Sequence, residues 1–363
     1  MKGLLAAFFA ITAVQAATIP MDSVRGDQLF RSQGCIQCHK LRGQGGNRGP
    51  DLGRVLDRAF TPSLLAGTMW NHAPEMWMTI NLENIKVGDI DEQGAADLFA
   101  SFYSSRYFEM PCDAGRGKKL FVSRSCSTCH GLTSSPDPKA VPVNQWHGLN
   151  DPIALVGAMW IHSPAMWSEL SQKKISWPSM TSQDLSDLLV YLRNVSPAMG
   201  AEPMFRITAG EDGEKLFASK GCVSCHNAQR PAASKMTLTG VAAAMWNHAP
   251  LLHAEPPRID ANEMREVLSE YWARQFFESS GDAAHGKRLF ASKHCAECHT
   301  GAGPGPVLTA RAGTYNGMNM VSALWRHGPA MLQQMKQKHI NWPVFKVGEM
   351  ADLMAWLNES AKK

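Results

Sequence analysis

The chain has 363 residues, 36 Lys+Arg against 32 Asp+Glu, 13 His and nine Cys. That length exceeds what one hydrophobic core serves, and 44% apolar with 19% charged residues excludes a disordered chain, so several folded domains are expected. A formal charge of +4 without any Lys/Arg block argues against nucleic acid as a partner, and nine Cys are too sparse, and odd in number, for a disulfide scaffold.

Residues 1–16 come first. Lys2 gives a positive start, Leu4 to Val14 is an apolar run, and Val14-Gln15-Ala16 offers a small-residue cleavage site. This is the pattern of a secretory signal peptide, and the run is too short to span a bilayer. The mature chain is expected to begin at Ala17 and to be exported, periplasmic or extracellular. Nothing later is long and apolar enough to span, so no transmembrane anchor is expected after cleavage.

The next element recurs four times. GDQLFRSQGCIQCH starts at Gly26, GKKLFVSRSCSTCH at Gly117, GEKLFASKGCVSCH at Gly213 and GKRLFASKHCAECH at Gly286. A second element follows each: MWNHAPEM from Met69, MWIHSPAM from Met159, MWNHAPLL from Met245 and LWRHGPAM from Leu324. Thr61-Pro62 and Asp151-Pro152 read as helix starts ahead of it. Pro74, Pro164, Pro250 and Pro329 are expected to stop the helix two residues past the His. A third stretch closes each repeat. Leu185, Leu188, Leu189 and Leu192, and again Met350, Leu353, Met354 and Leu357, recur at helical steps. No segment alternates as a strand would, so the fold class is all-α.

The repeats alternate in kind. Repeats 2 and 4 carry KKISWPSM and KHINWPVF, whereas repeats 1 and 3 share a different exit, giving an A-B-A′-B′ order. Residues 196–210, rich in Pro, Gly and Ala, read as the linker between halves. The expected division is a signal peptide at 1–16 and domains at 17–110, 111–198, 199–279 and 280–363.

The chemistry lies in CxxCH: Cys35-Cys38-His39, Cys126-Cys129-His130, Cys222-Cys225-His226 and Cys295-Cys298-His299. Two thiols at that spacing can meet the two vinyl groups of a haem, and the adjacent His then reaches the iron from the same side. A CxxC redox pair or a zinc site requires no His after the second Cys every time. Four covalently attached haems c are therefore expected.

With these motifs the chain resembles a multihaem c-type cytochrome built from four class I-like cytochrome c domains. The resemblance also rests on Gly49-Pro50-Asp51-Leu52, on the shorter Gly305-Pro306-Val307-Leu308, and on closing stretches such as DLSDLLVYL. It implies that a Pro carbonyl after CxxCH accepts the proximal His N–H, with Pro50 and Pro142 placed for it and Pro231 much nearer its His. It implies a Met ligand before the closing helix, but that position reads Trp177-Pro178 and Trp342-Pro343, with Asn81-Leu82 and Glu255-Pro256 in the other repeats. That ligand does not carry over.

The second element offers replacements. Its first Met is replaced by Leu324 in repeat 4, and its later Met (Met76, Met166, Met331) by Leu252 in repeat 3. Only His72, His162, His248 and His327 recur in all four. They are the expected distal ligands, opposite His39, His130, His226 and His299, giving low-potential bis-His haems, with His/Met coordination at one or more sites as the alternative. Trp70, Trp160, Trp246 and Trp325 read as haem-packing aromatics rather than relays. Cys112, outside every motif, reads as an inert or exposed thiol, and His253 is a minor alternative to His248 at the third site.

The sequence thus points to single-electron transfer rather than catalysis. The partners implied are a membrane quinol-oxidising complex on one side and other cytochromes or a terminal reductase on the other. Two alternatives remain: a haem enzyme with one open coordination position, or a subunit of an extracellular cytochrome filament.

Overall fold

Each repeat opens on a short helix that crosses the repeat's closing helix at close quarters. A computed structural model describes residues 18–53, 60–107, 112–195, 204–226, 236–252, 257–277, 280–310 and 313–361. The signal-peptide reading of residues 1–16 lies outside them. The leading helices are Ser23–Ser32, Ala114–Ser123, Gly213–Ser219 and Ala283–Ser292. The side chains of Asp22, Asp113 and Asp282 cap three of them by accepting first-turn N–H groups. The closing helices are Glu92–Tyr107, Ser182–Val195, Ala261–Tyr271 and Glu349–Ser360. The apolar positions read from the sequence are the ones they bury, including Leu188, Leu189, Met354 and Leu357.

The crossing explains the glycine that opens each motif. A Cβ on Gly26 would lie 1.9 Å from the carbonyl oxygen of Asp97, one on Gly117 2.1 Å from that of Asp187, and one on Gly286 2.0 Å from that of Asp352. The same three aspartates receive the side chain preceding the glycine. Arg25 binds Asp97 at 2.8 Å, Arg116 binds Asp187 at 2.7 Å, and His285 binds Asp352 at 2.7 Å.

The middle helices are Pro62–Leu82, Pro152–Gln172, Leu238–His248 and Gly317–Gln337. Thr61, Asp151, Thr237 and Asn316 cap them. The expected stop at proline holds only in repeat 3, where the helix ends at His248. Pro74, Pro164 and Pro329 lie inside continuous helices. A helical proline strips the carbonyl four residues back of its donor, and for Pro74 and Pro164 another group replaces it. The Trp342 indole N–H donates to the Trp70 carbonyl at 2.9 Å, and the Ser163 hydroxyl to the Trp160 carbonyl at 2.7 Å. The Trp342 donor comes from outside the local pattern, whereas Ser163 is three residues from its acceptor, so only the first lay beyond a local reading.

The repeats associate out of chain order. The middle helix of repeat 1 packs on that of repeat 4, and those of repeats 2 and 3 pack on each other. Gly328 stands where the other repeats have Ala73, Ser163 and Ala249, because a Cβ there would lie 2.1 Å from the Trp77 ring. The pairing is reciprocal. Trp70 donates its indole N–H to the Pro343 carbonyl and Trp325 donates to that of Gly88, both at 2.8 Å. Trp160 donates to Pro257 at 2.9 Å and Trp246 to Pro178 at 2.8 Å. Trp70 also stacks on Trp342 with ring centres 4.7 Å apart, and Trp246 on Trp177 at 4.4 Å.

The two pairs meet between repeats 1 and 3. Met21–Asp22 forms a two-residue antiparallel ladder with Arg206–Ile207. Phe205 is fully buried and stacks near Tyr103 at 4.8 Å. The second half of the expected linker is therefore docked rather than free; residues 196–203 lie outside the described residues. A short hairpin pairs Lys40–Leu41 with Gln44–Gly45, and no longer strand occurs among the described residues. Nor, among them, is any helix long and apolar enough to cross a membrane.

Two predictions follow from these junctions. Burial pushes the Asp187 carboxyl up, but hydrogen bonds from Arg116, the Asp113 N–H and Gln183 outweigh it and hold it below the usual carboxylate range. Its stabilisation is therefore present above the unfolded value of about 3.9 and lost as pH falls through the lower folded value. Asp187→Asn should lower the denaturant midpoint at neutral pH, with the difference from the parent closing at acid pH. The Asn247 side chain accepts from the Met180 N–H at 2.9 Å and donates to its carbonyl at 2.8 Å. Asn247→Ala leaves both groups unpaired and should cost about 2 kcal/mol in denaturant unfolding.

Candidate haem-binding sites

Each CxxCH begins at a left-handed residue. Gly34, Ser125, Gly221 and His294 have φ of 78°, 63°, 79° and 62° and immediately precede the first cysteine. The chain then makes a single helical turn, closed by the His N–H donating to the first cysteine's carbonyl at 2.8–3.0 Å in all four repeats. Residues i, i+3 and i+4 of such a turn share one side, so both thiols and the imidazole face the same way.

The proximal imidazoles are held by carbonyls. Nδ1 of His39 lies 3.1 Å from the Pro50 oxygen, that of His130 3.0 Å from the Val141 oxygen, and that of His299 2.9 Å from the Pro306 oxygen. A carbonyl can only accept, so Nδ1 carries the proton and Nε2 keeps a lone pair for a metal. Pro50 is the expected acceptor. In repeat 2 the acceptor is Val141 and not Pro142: Val141 stands eleven residues after its His, as Pro50 does, and Pro142 stands twelve. Pro231 and His253 lie outside the described residues. The Gly before Pro is required: a Cβ on Gly49 would lie 2.3 Å from the His39 ring, and one on Gly305 2.6 Å from that of His299.

The middle helices bring the second histidine opposite. The ring centres of His39 and His72 are 6.1 Å apart, of His130 and His162 5.8 Å, and of His226 and His248 6.1 Å. Two metal–nitrogen bonds of about 2.0 Å plus the two ring radii require about 6 Å between centres. At the fourth site His299 and His327 both line a cavity of about 790 Å³, with Cys295, Cys298, Leu324 and Leu357 among its walls. A cavity of this size suits a cofactor-sized ligand. The donor set, spacing and apolar walls therefore fit a haem held by two cysteines with a nitrogen on each face. Burial first, then the charge of the facing imidazole, lowers the value of His162; burial likewise lowers that of His39 against the opposing Pro50 bond. Neutral imidazoles are the form that ligates iron.

The CxxC alternatives fit less well. Burial pushes the thiols of Cys35, Cys126 and Cys295 up to about 11, opposite to a reactive dithiol. Among the described residues no three of His, Cys, Asp and Glu converge as a metal cage.

Residues 23–78 and 114–196 match the family described as Cytochrome c. Residues 281–357 match the family described as Cytochrome C oxidase, cbb3-type, subunit III. The chain carries several cytochrome c domains. Such cytochrome c domains bind haem covalently and transfer electrons between redox proteins. The residues of repeat 3, between the second and third matched spans, are covered by neither family. No curated protein and no solved structure matches the chain.

Outside the cytochrome motifs, Cys112 is half-buried, and burial followed by the charge of Asp187 pushes its thiol up to about 11. It stays protonated and unreactive at neutral pH. The four Trp residues do more than pack on a cofactor of their own repeat. All four donate across a repeat boundary, and Trp70 of repeat 1 lines the cavity of site 4. The recurrence of the indole was visible in the sequence, but its acceptors lie in other repeats.

Gly49→Val should displace the His39 ring and break its bond to Pro50. The check is the nitrogen NMR signal of the His39 Nδ1–H, protected in the parent and lost in the variant.

Proposed function

We propose that the chain is an exported tetrahaem c-type cytochrome that passes single electrons between redox partners. Cys35/Cys38, Cys126/Cys129, Cys222/Cys225 and Cys295/Cys298 form the thioethers. His39, His130, His226 and His299 are the proximal ligands, and His72, His162, His248 and His327 the distal ones. When bound, haem supplies a reversible one-electron change at iron with no bond made or broken at that centre.

The observation that carries this reading is the spacing of the facing imidazoles, 5.8 to 6.1 Å at three sites, each beside a cysteine pair. Two imidazoles favour ferric iron more than His with Met does, so the potentials are low for a c-type haem. The middle helices fix the distal rings, the carbonyls of Pro50, Val141 and Pro306 fix the proximal ones, and the buried faces of the helices exclude water. Export is supported by the pattern of residues 1–16 and by the attachment of haem c outside the cytoplasm. The partners proposed are a quinol-oxidising membrane complex and a second cytochrome or terminal reductase.

One observation favours a second reading at one site. The site 4 cavity also holds Met320, Met331 and Met335 beside His327, which leaves room for Met ligation or for a small molecule on the iron. Carbon monoxide binding to the reduced native protein would favour the open position.

The main reading is tested by intact mass and haemochrome spectra of protein matured with haem. Four haems per chain are expected, and three in the Cys222→Ser/Cys225→Ser double variant. A parent with fewer than four, or a double variant with an unchanged count, contradicts it.

A further inference from the structure

We infer that the four sites work as two cross-repeat couples, 1 with 4 and 2 with 3, joined through repeats 1 and 3. Their working order is then 4–1–3–2 rather than the order of the chain. This rests on the four-haem reading above and adds which sites exchange electrons.

The middle helices carry the argument. On Pro62–Leu82, the Trp70 side chain lines the cavity of site 4, while His72, two residues on, faces His39 of site 1. One helical turn therefore touches two sites in different repeats. Trp342, stacked on Trp70, also donates to the Trp70 carbonyl, and Asn71 exchanges hydrogen bonds of 2.8 and 2.7 Å with the backbone of Phe345. The distal histidine of site 1 is thus directly preceded by two residues locked onto the wall of site 4.

Repeats 2 and 3 copy this arrangement. Trp246 stacks on Trp177 and donates to Pro178, Asn247 brackets Met180, and His248 follows directly, facing His226. Arg265 of repeat 3 adds a bond to Asp151, the cap of the repeat 2 middle helix, at 2.8 Å. The two couples meet at the Met21–Asp22 ladder with Arg206–Ile207 and at the ring contacts of Tyr103 with Phe205, Trp272 and Phe276.

Electron exchange falls steeply with separation, so the tightest packing between sites sets the pairing. Each exchange oxidises one site by one electron and reduces its couple by one; no bond changes and no proton is required. The outer positions fall to repeats 2 and 4, the two B repeats, which become the ports for external donors and acceptors. Trp70, Trp342, Trp177 and Trp246 are positioning residues here.

The test is a stepwise redox titration of the haem-loaded full chain followed by NMR. Each haem is assigned through contacts with its own cysteine pair, independently of its distal ligand. His327→Met should raise the midpoint of site 4. Site 1 should then shift downward, because it titrates beside an already reduced neighbour, while sites 2 and 3 stay. Trp342→Leu should move the signals of sites 1 and 4 alone. If it does not accumulate, Trp342→Phe, which loses the N–H and keeps a ring, carries the same expectation. A secondary shift at site 3 instead of site 1, or a Trp342 variant that moves site 2 or 3, overturns the pairing. A midpoint at site 4 that ignores His327→Met refutes the distal-ligand reading, and the Trp342 arm still decides the pairing.

Discussion

Two imidazoles facing each other across about 6 Å are the constraint around which repeats 1, 2 and 3 are organised, and in repeat 4 the corresponding His299 and His327 line one cavity. One comes from the CxxCH turn, whose geometry is local and is fixed by five residues and a left-handed residue before them. The other comes from a helix that reaches the site only after a loop. Everything else in the repeat serves to bring that helix into place. A repeat of about 85 residues has little surface to bury by itself, and a gap at its centre must be filled for the core to close. In repeat 4 this leaves a short helical frame around a cofactor-sized space.

The same helix joins repeats. Its Trp donates outward to a loop of another repeat, and for Trp70 and Trp246 that loop carries the Trp-Pro step where a Met ligand would sit in the class I pattern. Trp342 and Trp177 make that loop a docking surface. On the proposed ligation, the middle-helix histidine supplies the nitrogen that this loop does not offer, so ligand choice and cross-repeat assembly go together.

What the sequence revealed and what it hid divide along contact distance. The CxxCH turns, the capped helix starts at Thr61 and Asp151, and the buried face of Leu185, Leu188, Leu189 and Leu192 depend on neighbours within a few residues, and all were legible. The Pro50 carbonyl was legible because Gly49 and Pro50 form a local pattern. At Pro164 the replacement donor is local, from Ser163, and reading proline as a stop overlooked it. The passage of the helix through Pro74 was not legible, because the freed Trp70 carbonyl is satisfied by Trp342, 272 residues away. The association of repeat 1 with repeat 4 was hidden for the same reason. Its one trace was Gly328, an apparently trivial change from Ala or Ser that marks the Trp77 contact.

The most direct measurement of the central claim is electron paramagnetic resonance of the oxidised, haem-loaded full chain. Facing histidines at every site require low-spin ferric signals throughout. Changing His72, His162, His248 or His327 singly to Ala should convert one haem's worth of signal to high-spin each time. Low-spin spectra that remain unaltered in all four variants would contradict the account.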